Sequence, residues 1–308
     1  MTVANIPALL AELSPSWDAE LTHLSVISIT GEDAISYIQG QVTCNVESLA
    51  VGEHTFGAHC DFKGKMWSMF LAFRANDGLF LFMHNSATAK SLAELKKYGV
   101  FSKVTITDVS DEYAVIGALP ESEVFSTLNI DKDSAINEDN IVIALAGTHP
   151  RYLLAFKSLE HELSSGSHVW EALNICAGIG SIQAQTAGEY VPQMLNLQAL
   201  PGAIDFTKGC YMGQEVVART KYLGKNKRAG YVLHSSEVTN IPVGAIIEQQ
   251  LGENWRRAGQ VLTSAGLAEE NWVFAVLPND IETTTSLRLK EQPEITFTIR
   301  PLPYTLED

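Results

Sequence analysis

Residues Phe206-Thr207-Lys208-Gly209-Cys210-Tyr211-Met212-Gly213-Gln214-Glu215 are the densest run of distinctive side chains in the chain. Two glycines bracket a thiol, and an apolar pair, Val216-Val217, follows in helical fashion. Glycine at such places lets backbone approach a ligand closely. A helix opening near Cys210 would offer its first amides to the thiolate, and Lys208 would add positive charge. Both lower a thiol pKa and make Cys210 nucleophilic or oxidisable. The other reading is a buried, inert cysteine at a tight turn, because free cysteine is among the most buried residue types.

On either side of this run the sequence has a different texture. Downstream of about residue 226, Tyr231–His234, Ala245–Gln249, Gly259–Thr263, Trp272–Leu277, Leu287–Lys290 and Ile295–Ile299 read as six short strands divided by Gly, Pro, Asn and Asp. Regular short strands point to a small barrel. Upstream, strands and helices are mixed. Leu24–Ile29 is a β-rich run, and Thr30 with Asp33 forms a capping-box pattern opening a helix through Ala34, Tyr37 and Ile38, closed by Gly40. Met66–Phe73 and Leu79–His84 flank Ala75-Asn76-Asp77-Gly78, a hairpin signal in which Asp-Gly tolerates positive φ. Ser86 is a candidate cap for the next helix, which Gly99 ends, and Lys103–Val109 alternates as a strand. The pattern then roughly recurs. Tyr113–Leu119, Ile141–Leu145 and Tyr152–Phe156 read as strands, Glu121–Leu128 and Val169–Cys176 as helices, and Asp131–Asn140 as an exposed loop.

The 308 residues carry 36 Asp+Glu against 21 Lys+Arg, a net charge of −15, with 46% apolar residues. This is the composition of a globular protein of two or three domains and excludes a generally basic nucleic-acid binder. No run reaches the roughly 18–20 apolar residues of a membrane span. Met1 to Leu13 lacks a basic region and carries Glu12, a poor signal peptide, so the expected location is cytoplasmic. Cys44, Cys60, Cys176 and Cys210 form no C-x-x-C pair, His161-Glu162 lacks its second histidine at Ser165, and no metal site is expected. A Walker loop, G-x-G-x-x-G and G-x-S-x-G are absent.

The charge is unevenly spread. Residues 208–230 hold Lys208, Arg219, Lys221, Lys225, Lys227 and Arg228 against Glu215, a net of +5, which leaves −20 elsewhere. Such an island guides one anionic ligand to one place, or it is a solvated linker. Tyr211, Tyr222 and Tyr231 are interleaved with it and suit stacking on a ring. A second cluster, His59 to Trp67, places Asp61 beside Gly64 and two lysines. Asp61 is a candidate general base or binding carboxylate, or simply a turn aspartate bonding local backbone. Trp170 near a helix start is either core or the wall of a flat-ring pocket.

Lys208-Gly209-Cys210-Tyr211-x-Gly213-Gln214-Glu215, preceded by Asn196-Leu197-Gln198-Ala199-Leu200, closely resembles the signature of the YgfZ family, folate-binding proteins related to the glycine-cleavage T-protein, an aminomethyltransferase. Gln39-Gly40-Gln41-Val42-Thr43, Asp61-x-Lys63-Gly64-Lys65, Asn226-Lys227-Arg228-Ala229, Gly252–Arg257 and Pro301-Leu302-Pro303-Tyr304 resemble it as well, in order along nearly the whole chain. The resemblance implies an α+β fold: two ferredoxin-like α+β domains plus a C-terminal small antiparallel β-barrel, arranged around a central channel. We place the units at residues 1–110, 111–225 (with the motif) and 226–308, with segments exchanged between the first two.

The resemblance also implies folate in that channel, as tetrahydrofolate or a one-carbon derivative. Cys210 matches the motif cysteine, and Trp170 matches a tryptophan of the folate site. The second such tryptophan falls at Leu24, a departure that removes one stacking wall. The remaining binding set expected around the motif is Lys208, Tyr211, Gln214, Arg219, Lys227 and Arg228, the cations serving a glutamyl tail by charge complementarity. The implied role is an accessory protein for iron–sulfur enzymes, including one that thiomethylates tRNA, with Cys210 in thiol or redox chemistry and Asp61 as a lesser catalytic candidate. The alternative is outright tetrahydrofolate-dependent aminomethyl transfer. It is disfavoured because the pterin-binding glutamate of the aminomethyltransferases falls at about Gln185. The acidic body argues against direct tRNA binding.

Overall fold

A computed structural model describes residues 13–132, 135–137, 140–147, 149–159, 161–163, 166–222, 224, 226–237, 239–267 and 270–306. Residues 1–12, Ser165 and Lys225, each used in the sequence reading, lie outside the described residues.

The architecture is α+β, with two five-stranded sheets and a barrel. Its first element, β1 (Asp18–Glu20), is followed by β2 (Leu24–Thr30), α1 (Ala34–Gln39), β3 (His54–Cys60), β4 (Met66–Arg74), β5 (Gly78–His84), α2 (Asn85–Tyr98) and β6 (Thr105–Asp108). The first sheet has the order β3-β4-β5-β2-β6, antiparallel throughout. With β3 set aside, this is a βαββαβ ferredoxin-like unit. β2 is apolar on both faces because both are covered. Val26 packs towards the second sheet, while Ile27 and Ile29 pack beneath the helices with Tyr37, Ile38 and Leu95.

Three local expectations change. Thr30 ends β2 rather than capping a helix, and Asp33 Oδ2 instead accepts from the Lys103 amide at 2.7 Å. The helix after β5 is capped by His84, whose Nδ1 accepts from the Ser86 amide at 3.3 Å, because the strand passes into the helix without a linker. Gly78 does not adopt positive φ. It is required because a Cβ there would lie 1.9 Å from the Ile29 carbonyl oxygen of the neighbouring strand.

The second sheet follows the order β1-β7-β10-β9-β8. It contains β7 (Ala114–Ala118), β8 (Ile136–Asn137), β9 (Asn140–Leu145) and β10 (Arg151–Phe156), with α3 (Val124–Thr127) after β7 and α4 (His168–Cys176) after β10. β1 takes the place beside β7 that a fourth strand would fill, so the start of the described chain completes this sheet. Part of the expected loop at Asp131–Asn140 is a short hairpin strand, β8, paired to β9. The two sheets pack face to face through Val26, Leu71, Phe73 and Phe82 on one side and Val115, Ile143 and Leu153 on the other, with Trp170 of α4 in the same cluster.

After α5 (Gln214–Tyr222) the chain forms β11 (Arg228–Ser235), β12 (Ile246–Leu251), β13 (Asn254–Leu267), β14 (Glu270–Pro278), β15 (Leu287–Leu289) and β16 (Thr296–Arg300). They close into a barrel in the order β11-β14-β13-β12-β15-β16, filled by Leu233, Ile247, Val261, Val273 and Leu277. Bulges at Ile247/Glu248 and Val261/Thr263 bend the strands for closure.

Residues 179–213 run back to the first sheet. The Met66 amide donates to the Tyr190 carbonyl at 2.9 Å, and Thr43 Oγ1 donates to the Ala203 carbonyl at 2.6 Å. Asn196, at φ 60, pairs with the Gly230 backbone in both directions, at 2.8 and 3.0 Å. A residue that reads as part of a functional signature thus latches the barrel to the rest of the molecule.

Candidate functional site

Segments far apart in sequence meet at the cysteine motif. The Met212 amide donates to the Gly40 carbonyl at 3.1 Å. Gly213, at φ +83, lies so close to the Asp61–Gly64 turn that a Cβ on it would be 2.5 Å from the Asp61 carbonyl oxygen and 2.8 Å from Gly64 Cα. The Gln39–Thr43, Asp61–Lys65 and Lys208–Glu215 segments therefore form one packed locus, and only glycine fits at its contact point.

Within that locus the expected roles separate. Cys210 is exposed, so it is not the buried, inert thiol of the alternative reading. The helix does not open on it. α5 starts at Gln214, and the amides of Gln214, Val216 and Val217 already donate to the carbonyls of Tyr211 and Gly213. Nor is Lys208 a free cation beside the thiol. Its Nζ is buried and donates to the Val42 and Cys44 carbonyls at 2.9 and 2.6 Å. Burial lowers the Lys208 pKa to about 8, with the Cys44 thiol, Asp205 and Glu47 opposing the shift. Lys208 is thus a strut rather than a partner for a glutamyl tail. The Tyr211 ring is also buried, and desolvation, followed by the neighbouring Cys60, Asp205 and Cys44, raises its pKa.

Asp61 takes the turn role. Its Oδ1 accepts from the amides of Lys63 and Lys65, both at 2.8 Å, so this oxygen holds the loop. Arg219 pairs with Glu215 one helical turn away, and Arg228 donates to the Ala258 carbonyl at 2.9 Å. Lys227 is exposed and Gln214 is half-buried at the start of α5. The basic island is therefore dispersed: one cation buried, one paired, one bonded to the barrel.

Leu24 and Trp170, by contrast, come together. Both line a cleft between the two sheets, with Phe56, Leu71, Phe82 and Leu153 as further apolar wall. The cleft opens to solvent, and its cavity volume is about 70 Å³. Trp170 is 2% exposed and rests on Gly117 of β7, where a Cβ would lie 2.4 Å from the ring. The Arg151 guanidinium stands 5.1 Å from the ring centroid. Trp170 is thus both core and pocket wall. A third wall is the Ile179–Ser181 loop, fixed to the barrel by the Ser181 amide donating to Thr263 Oγ1 at 3.0 Å.

The polar groups of this cleft were missed from the sequence. Glu171, Asn174, His84 and Ser181 line it, and Glu171 Oε1 lies 2.8 Å from His23 Nε2. Burial lowers the His84 pKa, with Glu171 opposing and His23 reinforcing the shift. Asn174 Oδ1 is held by Arg151 at 2.8 Å. The signal for Glu171 was its place next to Trp170; His84 is opposite Leu24 in the β2–β5 register. Gln185 lies on an exposed turn outside the cleft lining. None of Cys210, Asp61, Lys208, Tyr211, Gln214, Arg219, Lys227 or Arg228 lines the cleft. Among the described residues, no group of His, Cys, Asp and Glu is arranged to hold a metal ion, and no helix is long and apolar enough to cross a membrane.

Comparison with known proteins agrees with this architecture. A model of the GCVT N-terminal domain matches residues 19–146, and one of the YgfZ β-barrel domain matches residues 226–292. Aminomethyltransferase T of the glycine cleavage system from Bartonella henselae superposes with a TM-score of 0.70 at 13% identity, covering 94% of this chain and 87% of that one, which is a likeness of fold. The tRNA-modifying protein YgfZ of Colwellia psychrerythraea is 40% identical over 99% of this chain and 98% of its own length. That of Yersinia enterocolitica is 39% identical over the same shares. The chain belongs to the YgfZ family.

Proposed function

We propose that this protein is a folate-binding accessory protein that supports iron–sulfur enzymes, and through them the thiomethylation of tRNA, with Cys210 in thiol or redox chemistry. The observation that carries the reading is the meeting of Trp170 and the Leu24 position in one cleft walled by both sheets and a loop tied to the barrel. The names of the relatives, tRNA-modifying protein YgfZ, support the tRNA side.

The cleft suits a flat heterocycle. Its walls are apolar, and the Glu171 carboxylate at one end accepts two ring N–H groups of a pterin edge. His23 Nε2 stands 2.8 Å from that carboxylate, close enough to pair with it as a cation. Leu24 supplies contact area without an aromatic face, so binding rests on Trp170 and the polar end. A bound folate would contribute a one-carbon carrier; the chain's own residues bind and orient it. A second reading, tetrahydrofolate-dependent aminomethyl transfer, draws on the aminomethyltransferase-like fold, with Gln185 exposed outside the cleft against it.

Titration of tetrahydrofolate and its one-carbon derivatives by calorimetry tests the cleft. Glu171→Gln and Trp170→Phe should each weaken binding about tenfold or more. Wild-type affinity in both variants would remove the ligand from this cleft. Cys210→Ser should fold normally, keep folate affinity and fail to restore thiomethylated tRNA in a deletion strain; full restoration would end the role of the thiol. Turnover of an aminomethyl–lipoyl substrate would favour the second reading.

A further inference from the structure

Cys210 lies outside the lining of the ligand cleft and is exposed at a bare point of the surface. A Cβ added at the adjacent Gly209 would meet nothing within 4 Å. A small ligand is therefore not enclosed beside this thiol; whatever reacts with it brings its own surface.

Two exposed rings lie on segments that adjoin the thiol's turn. Phe62 is 72% exposed, at the tip of the Asp61–Gly64 turn that Gly213 packs against. Tyr222, 68% exposed, ends α5 and lies edge-on to Phe206, with centroids 6.4 Å apart. The chain runs from Phe206 through Cys210 to Gly213, so it passes from one ring to the other. Four residues span at most about 14 Å, so the thiol and both flanks fall within one ordinary interface. Neither ring is needed by the core, and exposed aromatics on adjoining segments are a common mark of interaction sites.

The charges select the partner. Lys63 Nζ is 5.4 Å from the Phe62 centroid, and Lys221 Nζ is 3.9 Å from that of Phe206 and 5.7 Å from that of Tyr222. Neither lysine has a carboxylate partner among the described residues, whereas Asp61 Oδ1 and Glu215 are already engaged. The patch thus offers two free ammonium groups on a chain of net charge −15. Each stands over a ring face, which leaves the rings less free to stack on bases, and the acidic body repels a long polyanion.

We propose that Phe62, Cys210 and Tyr222, with Lys63 and Lys221, form the docking face for a protein partner whose contact surface is acidic, so that the exposed thiol meets a macromolecule rather than the cleft ligand. The proposal rests on the reading that Cys210 serves an iron–sulfur enzyme. Aromatic anchors supply the affinity and the lysines set the encounter rate.

The test pairs binding with rescue. The purified tRNA-thiomethylating iron–sulfur enzyme is measured by interferometry against wild type, Phe62→Ala/Tyr222→Ala and Lys63→Glu/Lys221→Glu, with melting temperatures as the folding control. The aromatic pair should weaken binding about tenfold or more, and the charge reversal should slow association and flatten its salt dependence. Both should keep folate affinity and lose rescue of thiomethylated tRNA. Wild-type binding and full rescue by both pairs would overturn the docking face; if Cys210→Ser still failed to rescue, the thiol's role would stand without it. No wild-type binding to the enzyme, with tight, steeply salt-dependent binding of a single-stranded RNA to the same face, would overturn the protein partner in favour of RNA.

Discussion

At the cleft, Trp170 and Leu24 are held between two sheets, and their surroundings are apolar except at one end. At the motif, Cys210 stands outside, on a turn supported by two buried struts, the Lys208 ammonium and the Tyr211 ring, and by the Asp61 loop that packs against Gly213. The first region is built to enclose and the second to present. Mutations should therefore behave differently in the two. At the cleft, ligand affinity and stability share the same side chains. At the motif, the struts carry stability while the displayed thiol is free of it.

The strongest test of that contrast is Trp170→Ala. It empties a buried site against Gly117 and should cost about 3–5 kcal/mol in urea unfolding, while Trp170→Phe keeps most of the packing. A cost under about 1 kcal/mol would mean the cleft wall is not core. Next comes Gly213→Ala. The new Cβ meets the Asp61 carbonyl and Gly64 at positive φ, and the expected cost is about 2–4 kcal/mol. A neutral result would show that the motif turns are not locked together.

The smallest effect is a pH dependence beside the motif. His59 is buried, its Nδ1 is 2.9 Å from Ser91 Oγ, and burial lowers its pKa to about 4. Its folded pKa lies below the ordinary 6.5, so its contribution is full above that value and is lost as pH falls from there towards the folded one. Thermal melts should show about 1.4 kcal/mol lost by about pH 5.5, and His59→Gln should flatten this slope. An equal slope in the variant would assign the acid sensitivity to another group.

Much of the fold is legible along the chain. The six barrel strands are each legible to within a few residues, because alternating apolar runs divided by turn residues are local signals. The β4–β5 hairpin and α4 were legible for the same reason. The capping sites were not. Asp33 and Ser86 have the right chemistry, but their partners, Lys103 and Ala184, come from distant segments. Gly78 is required by the close approach of β2 and not by turn chemistry, and that approach leaves no trace in a neighbouring-residue pattern.

The site divides along the same line. Residue type and spacing alone were enough to single out the Cys210 motif, the Asp61 turn and Trp170, because a thiol between glycines, an Asx turn and an aromatic at helical spacing are short-range features. Which of them share a site depended on folding. Side-chain proximity is set by sheet order and by the return of residues 179–213, contacts between segments more than a hundred residues apart. Those contacts turned Lys208 inward onto two carbonyls, brought Leu24 and His84 to Trp170 in the cleft, and left Cys210 facing solvent. A lysine's charge is readable from its letter, but whether that charge meets a ligand, a carbonyl or water follows from what the rest of the chain has already buried around it.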